Sequence, residues 1–137
     1  MEIKAINNNA TMNPSKMVLA CSGASDLGEL TDKLARKLRN NGQYKMKCLA
    51  MVAANQQEII ETIKSTETLV IDGCTIDCGK KIMEEAWLTD YQYVRLTDFG
   101  LVKGKTPVTD EMVDNLLNQI ISGNNTHILR QELLFKE

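Results

Sequence analysis

Met17-Val-Leu-Ala-Cys21-Ser-Gly-Ala-Ser25-Asp-Leu-Gly-Glu-Leu30 joins a strand, a turn and a helix without a break. Met17 to Cys21 is a short apolar run, the signature of a buried strand. Ser22 to Ser25 is a turn of small residues. A helix is expected next, with Asp26 as its N-cap and Glu29 three residues on, in the manner of a capping box. Leu27, Leu30, Leu34 and Leu38 then recur at helical spacing, and Gly42 lies just past the end as a C-cap.

The same alternation continues to the C-terminal side. A second apolar run, 46–54, starts as a strand with Cys48 inside it or near its end. Asn55 is expected to cap the following helix, with Glu58 at the third position and Ile59, Ile60 and Ile63 as its buried stripe. Leu69-Val70-Ile71-Asp72 is the third strand, followed at once by Gly73-Cys74. The helix after Cys78 carries Ile82, Met83, Ala86 and Trp87, and Tyr91 to Leu96 alternates as a fourth strand. A loop containing glycine and lysine (98–107) leads to Thr109 or Asp110. Either residue can open a long helix bearing Met112, Val113, Leu116, Leu117, Ile120 and Ile121, which Gly123 stops. Residues 1–16 read as an irregular arm, and the residues beyond Gly123 as one further short element.

Repeated strand–helix units imply parallel strands joined by right-handed crossovers. The expected fold is α/β: a single three-layer Rossmann-like or flavodoxin-like domain spanning residues 1–137, with a mainly parallel sheet of roughly four to five strands.

Composition narrows the function classes. A chain of 137 residues with 43% apolar and 25% charged residues has the make-up of an ordinary globule with its own core. Sixteen basic residues against eighteen acidic ones give a net charge of -2, and only 4% of residues are aromatic. Nucleic acid is therefore not an expected partner. No apolar run approaches a membrane span. The first residues, Met1 to Ile6, lack the basic-then-apolar pattern of a signal peptide. The expected location is the cytoplasm, where thiols stay reduced.

Four cysteines remain to be explained: Cys21, Cys48, Cys74 and Cys78. In an open α/β sheet, functional groups gather outside the carboxyl ends of the strands. Cys21 ends the first strand, Cys74 follows the third, Cys78 comes one turn later, and Cys48 belongs to the second. All four can converge on one rim. Four thiolates suit Zn²⁺, or an iron–sulfur centre as the alternative, in a tetrahedral arrangement. The opposing reading is that they are small buried hydrophobes. No C-x-x-C pair decides between the two, and the residues alone leave both open. Asp72 and Asp77 stand beside the cysteines, where they can support a site or simply end a strand and cap a helix.

The stretches 21–30, 47–50 and 71–81 also carry a resemblance. Cys21-Ser-Gly-Ala-Ser-Asp-Leu-Gly-Glu-Leu30, Lys47-Cys-Leu-Ala50 and Ile71-Asp-Gly-Cys-Thr-Ile-Asp-Cys-Gly-Lys-Lys81 resemble the DGC-type zinc-binding proteins. The motif that names that family corresponds here to Asp72-Gly73-Cys74. The resemblance runs from about residue 17 to the helix near 121. It implies zinc held by Cys21, Cys48, Cys74 and Cys78, and it implies no particular reaction.

Two functions follow as expectations. The first is a zinc-binding protein with a metal-handling, sensing or structural role; four protein thiolates close a tetrahedral zinc and leave no open position, which favours a non-enzyme. The second is a thiol, persulfide-transfer or redox enzyme with Cys21 as nucleophile, since Cys21 precedes a turn and a helix N-terminus. That alternative lacks a nearby base, because His127, the chain's one histidine, lies far along the sequence. Cys21 to Ser25 is no phosphatase loop, because no arginine closes it. Gly100 to Gly104 lacks the Lys-Ser/Thr ending of a nucleotide loop.

Overall fold

The computed structural model of the chain describes residues 16–123. Residues 1–15 of the expected arm, the element beyond Gly123 and His127 lie outside the described residues, while Lys16, the arm's last residue, opens the first strand. Four parallel strands form one sheet in the order β2-β1-β3-β4: β1 (Lys16–Ala20), β2 (Lys45–Cys48), β3 (Glu67–Asp72) and β4 (Gln92–Arg95). This is the order expected of a flavodoxin-like sheet. The central strands β1 and β3 pair from Lys16↔Glu67 to Ala20↔Ile71. Both are buried at every position but the first, with apolar centres, as a strand covered on two faces must be.

Helices cover both faces. On one lie α1 (Asp26–Asn40), between β1 and β2, and α5 (Asp110–Ser122), after β4. On the other lie α2 (Leu49–Ala53), α3 (Gln57–Lys64) and α4 (Cys78–Glu85). A 3₁₀ turn (Leu96–Phe99) follows β4. The sheet thus divides the core. Val18, Ala20, Leu69, Ile71 and Val94 pack with the α1 leucines and with Val113, Leu116 and Ile120 of α5. Met17, Leu19, Val70 and Tyr93 pack with Leu49, Val52, Ile60, Ile63 and Met83. The four α1 leucines predicted from their spacing are all fully buried, each contributing on the order of 1.5–3 kcal/mol.

Four local expectations change. The run 46–54 is not one strand: β2 ends at Cys48 and α2 begins at Leu49. Leu49 and Val52, three apart, face the core as helical neighbours do. Asn55 is not a helix cap; it sits at φ 61° just past α2, and Gln56 precedes α3 without a side-chain cap bond. Ser25, not Asp26, caps α1, its hydroxyl accepting the N–H of Gly28 at 3.1 Å. The Asp26 carboxylate is used elsewhere: it accepts the N–H groups of Gly104 at 2.9 Å and Thr106 at 3.0 Å, tying the loop before α5 to the start of α1. α4 stops at Glu85, so Ala86 and Trp87, expected within it, lie past its end, with Trp87 at φ 60°. Thr109 caps α5 through the Met112 N–H, and Gly42 and Gly123 take positive φ just past α1 and α5.

Candidate functional site

The carboxyl rim of the sheet holds all four cysteines. Cys48 is the last residue of β2 and pairs in register with Ala20, which pairs with Ile71 on its other side. Cys21 follows Ala20 and extends the ladder by one bond, its N–H donating to Ile71 O at 3.1 Å. Cys74 comes two residues after the end of β3, and Cys78 is the first residue of α4. The rim spans the point where the strand order reverses between β1 and β3, the usual place for a site in this architecture.

All four thiols are unpaired; Cys48 and Cys78 are exposed, Cys21 and Cys74 half-buried. They share the rim but are not drawn into one shell: among the described residues, no three Cys, His, Asp or Glu side chains are gathered to hold a metal ion. The donor set has the chemistry of a soft-metal site.

Each cysteine has its own surroundings. Cys21 Sγ lies 3.4 Å from the hydroxyl of Thr31, a fully buried residue of α1. That hydroxyl donates to Gly28 O at 2.7 Å and accepts the Ser22 N–H at 3.0 Å. Its proton is committed to Gly28, so toward Cys21 the Thr31 oxygen is an acceptor. Among the described residues, the partner of the Cys21 sulfur is thus an alcohol oxygen and not a general base. The turn itself is closely packed: Ser22 takes φ 49°, and a Cβ on Gly28 would stand 2.6 Å from the Gly23 backbone. Ser22 Oγ donates to Asp32 at 2.9 Å, as Arg36 Nε does at 2.7 Å. The Arg36 pKa is raised by its hydrogen bond to Asp32 and, to a lesser degree, by the nearby Cys48.

Cys74 faces a cation. Lys103 Nζ approaches its sulfur to 3.6 Å, from the loop that Asp26 fastens to α1. Close by, Thr97 gives its N–H to Gly73 O at 3.2 Å, while its buried hydroxyl finds no partner among the described residues. An unspent hydroxyl beside Gly73-Cys74 fits a rim that receives a further group.

The segment from Cys74 to Cys78 is held from both ends. Asp72, 1% exposed, accepts the N–H of Gly79 at 2.8 Å, the N–H of Lys80 at 3.0 Å and the Tyr93 hydroxyl at 2.7 Å. Gly79 and Lys80 are the second and third residues of α4, whose N–H groups an N-cap side chain ordinarily takes. Asp77 stands at the N-cap position, at φ 60°, and makes no such bond. Its carboxylate instead accepts two bonds from Arg95, at 2.8 and 2.9 Å, and one from Tyr93 at 3.0 Å. Asp72 therefore caps α4 from the end of β3. Burial alone would raise the Asp77 pKa, but the hydrogen bonds from Arg95 and Tyr93 outweigh it and hold the carboxyl below its usual range. Arg95 is raised in turn, first by that bond. Burial, then the charge of Asp72, pushes the Tyr93 phenol far up, so it remains a donor.

The family model of the DGC domain matches residues 17–120. The chain belongs to the DGC domain family. The stretch matched begins with β1 and takes in the four cysteines and most of α5. The chain is also 28% identical over 92 residues to the "Anaerobic and virulence modulator AnvM" of Pseudomonas aeruginosa, which covers 66% of this chain and 70% of that protein. No solved structure matches. No helix among the described residues is long and apolar enough to cross a membrane.

Of the residues singled out from sequence, Asp72 and Asp77 prove to be fold-holding, and the four cysteines stand on the expected rim. Sequence reading missed Thr31, Tyr93, Arg95 and Lys103. Tyr93 and Arg95 had a signal, since two residues apart on a strand share a face. Lys103 had none, because its partner is 29 positions away.

Proposed function

We propose that this DGC domain is a zinc-binding protein in which Cys21, Cys48, Cys74 and Cys78 are the ligands, serving metal handling or sensing rather than catalysis. The observation that carries the reading is the presence of four unpaired thiols, from three distant parts of the chain, on one rim. Bound there, zinc would supply a closed tetrahedral thiolate centre with no position left for substrate.

The protein's own residues suit a responsive site. The fold has two packed half-cores and does not depend on metal for its interior. Asp72, Tyr93, Asp77 and Arg95 fix the segment carrying Cys74 and Cys78, while Cys48 is exposed on an edge strand. Gathering the four sulfurs moves the edge and the loop toward a fixed centre, so occupancy is coupled to rim shape. The word "modulator" in the name of the Pseudomonas aeruginosa relative agrees with a responsive rather than a catalytic role.

The test is metal analysis of protein purified anaerobically under reducing conditions. Colourless protein with about one zinc per chain, lost in Cys48→Ser and Cys74→Ser variants that still fold, supports the reading. Metal-free protein that also fails to take up added zinc refutes it. Brown, iron-containing protein moves the same ligands to an iron–sulfur centre. A second reading, thiol chemistry, is favoured by Lys103 beside Cys74, and places the nucleophile there rather than at Cys21. In that case Cys74 alone reacts rapidly with iodoacetamide in both metal-free and zinc-loaded protein.

A further inference from the structure

Trp87 is the one tryptophan of the chain and is 87% exposed. Its φ of 60° puts a bulky side chain in the left-handed region, where glycine or asparagine is the ordinary occupant. Its N–H donates to Glu84 O at 3.0 Å, closing α4. Nothing in the described fold uses the indole. It borders a groove of about 650 Å³ between α2, α3 and α4, whose apolar lining includes Ile60, Ile82 and Ala86. On the same wall, Lys81 and Glu85 lie one helical turn apart, both exposed and neither with an ion-pair partner among the described residues.

We infer that this groove is closed by a second copy of the chain, with Trp87 of each copy seated on the other. The charges decide the occupant. A two-fold contact sets a patch against itself, so the patch must carry both signs in self-complementary order. A two-fold axis crossing α4 runs the two helices antiparallel and brings Lys81 of each copy beside Glu85 of the other. A partner of one sign would meet a like charge at one of these two positions. The indole supplies a large apolar area at little cost in side-chain freedom, which is why tryptophan anchors interfaces. No cysteine lines the groove.

The test uses the full chain under reducing agent, which prevents intermolecular disulfides. Over a dilution series, mass should rise from 15.3 kDa toward twice that value. The emission of the single tryptophan should shift to the blue in step. Trp87→Gly, which also relieves the left-handed backbone, should stay at 15.3 kDa. Lys81→Glu should weaken pairing about tenfold or more, and the double swap Lys81→Glu with Glu85→Lys should restore it. A mass of 15.3 kDa at every concentration overturns the proposal. Blue-shifted emission at that mass also overturns it, since the chain's own residues outside 16–123 would then cover the indole. Pairing that survives Trp87→Gly puts the interface elsewhere and overturns it too.

Discussion

Asp72 and Gly79 fit each other to within a single atom: the Gly79 N–H donates to Asp72 Oδ1 at 2.8 Å, and a Cβ on Gly79 would stand 2.7 Å from that same oxygen. The aspartate at the end of β3 and the glycine in the first turn of α4 act as one unit, which sets the path of the segment holding Cys74 and Cys78.

Asp72→Ala leaves two helix N–H groups without an acceptor and the Tyr93 phenol with Asp77 alone, and should lower stability by about 3–5 kcal/mol. Gly79→Ala should cost about 1–3 kcal/mol through crowding against Asp72 and Val70. The double variant should lose less than the sum, because the aspartate that the new methyl strikes is gone. Urea denaturation of the three variants checks this; strict additivity would show that the pair is not coupled.

Gly28 and Gly23 should respond oppositely to alanine. A Cβ on Gly28 meets the Gly23 backbone at 2.6 Å, and backbone cannot swing aside as a side chain can. Gly28→Ala should cost about 1–3 kcal/mol and displace the Cys21–Ser25 turn. Gly23→Ala, with nothing within 4 Å of the new atom, should stay within about 0.5 kcal/mol of the parent. Thermal melts of the two proteins decide it.

The Asp26 carboxyl is held below its usual 3.8, chiefly by the N–H of Gly104 and then that of Thr106. The bound form is the anion, so the tether is intact above the unfolded-state pKa and is lost as pH falls through the lower folded value. The amide resonances of Gly104 and Thr106 should titrate together with a midpoint below 3.8. Asp26→Asn should abolish that titration. A midpoint at or above 3.8 would mean that the tether does not exist in solution.

Thr31→Val keeps the shape of a fully buried side chain but removes its hydroxyl. The Ser22 N–H then loses its acceptor, and Gly28 O loses a donor. The expected loss is about 1–3 kcal/mol, with Thr31→Ser recovering part of it. Equal stability of valine and threonine variants in denaturant would show that water replaces the hydroxyl.

The layers of the fold were legible because β1 and β3 hold compact apolar runs and α1, α3 and α5 carry leucine or isoleucine stripes. Local ambiguity defeated the boundaries. Met46 to Ala54 reads as a single apolar run, and only the inward positions of Leu49 and Val52 reveal the helix. Ser25 and Asp26 are both good caps side by side; the choice fell to Ser25 because Asp26 is engaged by a loop some eighty positions away. The same limit applies to the rim. The cysteines could be placed by strand ends alone, whereas the lysine beside Cys74 and the phenol beneath Asp72 are joined to them only by tertiary packing.

The position of β1 has a consequence for biosynthesis. It is the first described strand to leave the ribosome, yet it ends at the centre of the sheet between β2 and β3. Its apolar run therefore waits, one edge open, until Glu67–Asp72 has been translated, although α1 and then α2 and α3 are available to its two faces before that. The long-range β1–β3 pairing is what closes that edge, and until it forms the nascent chain carries an open strand edge of the kind that promotes aggregation.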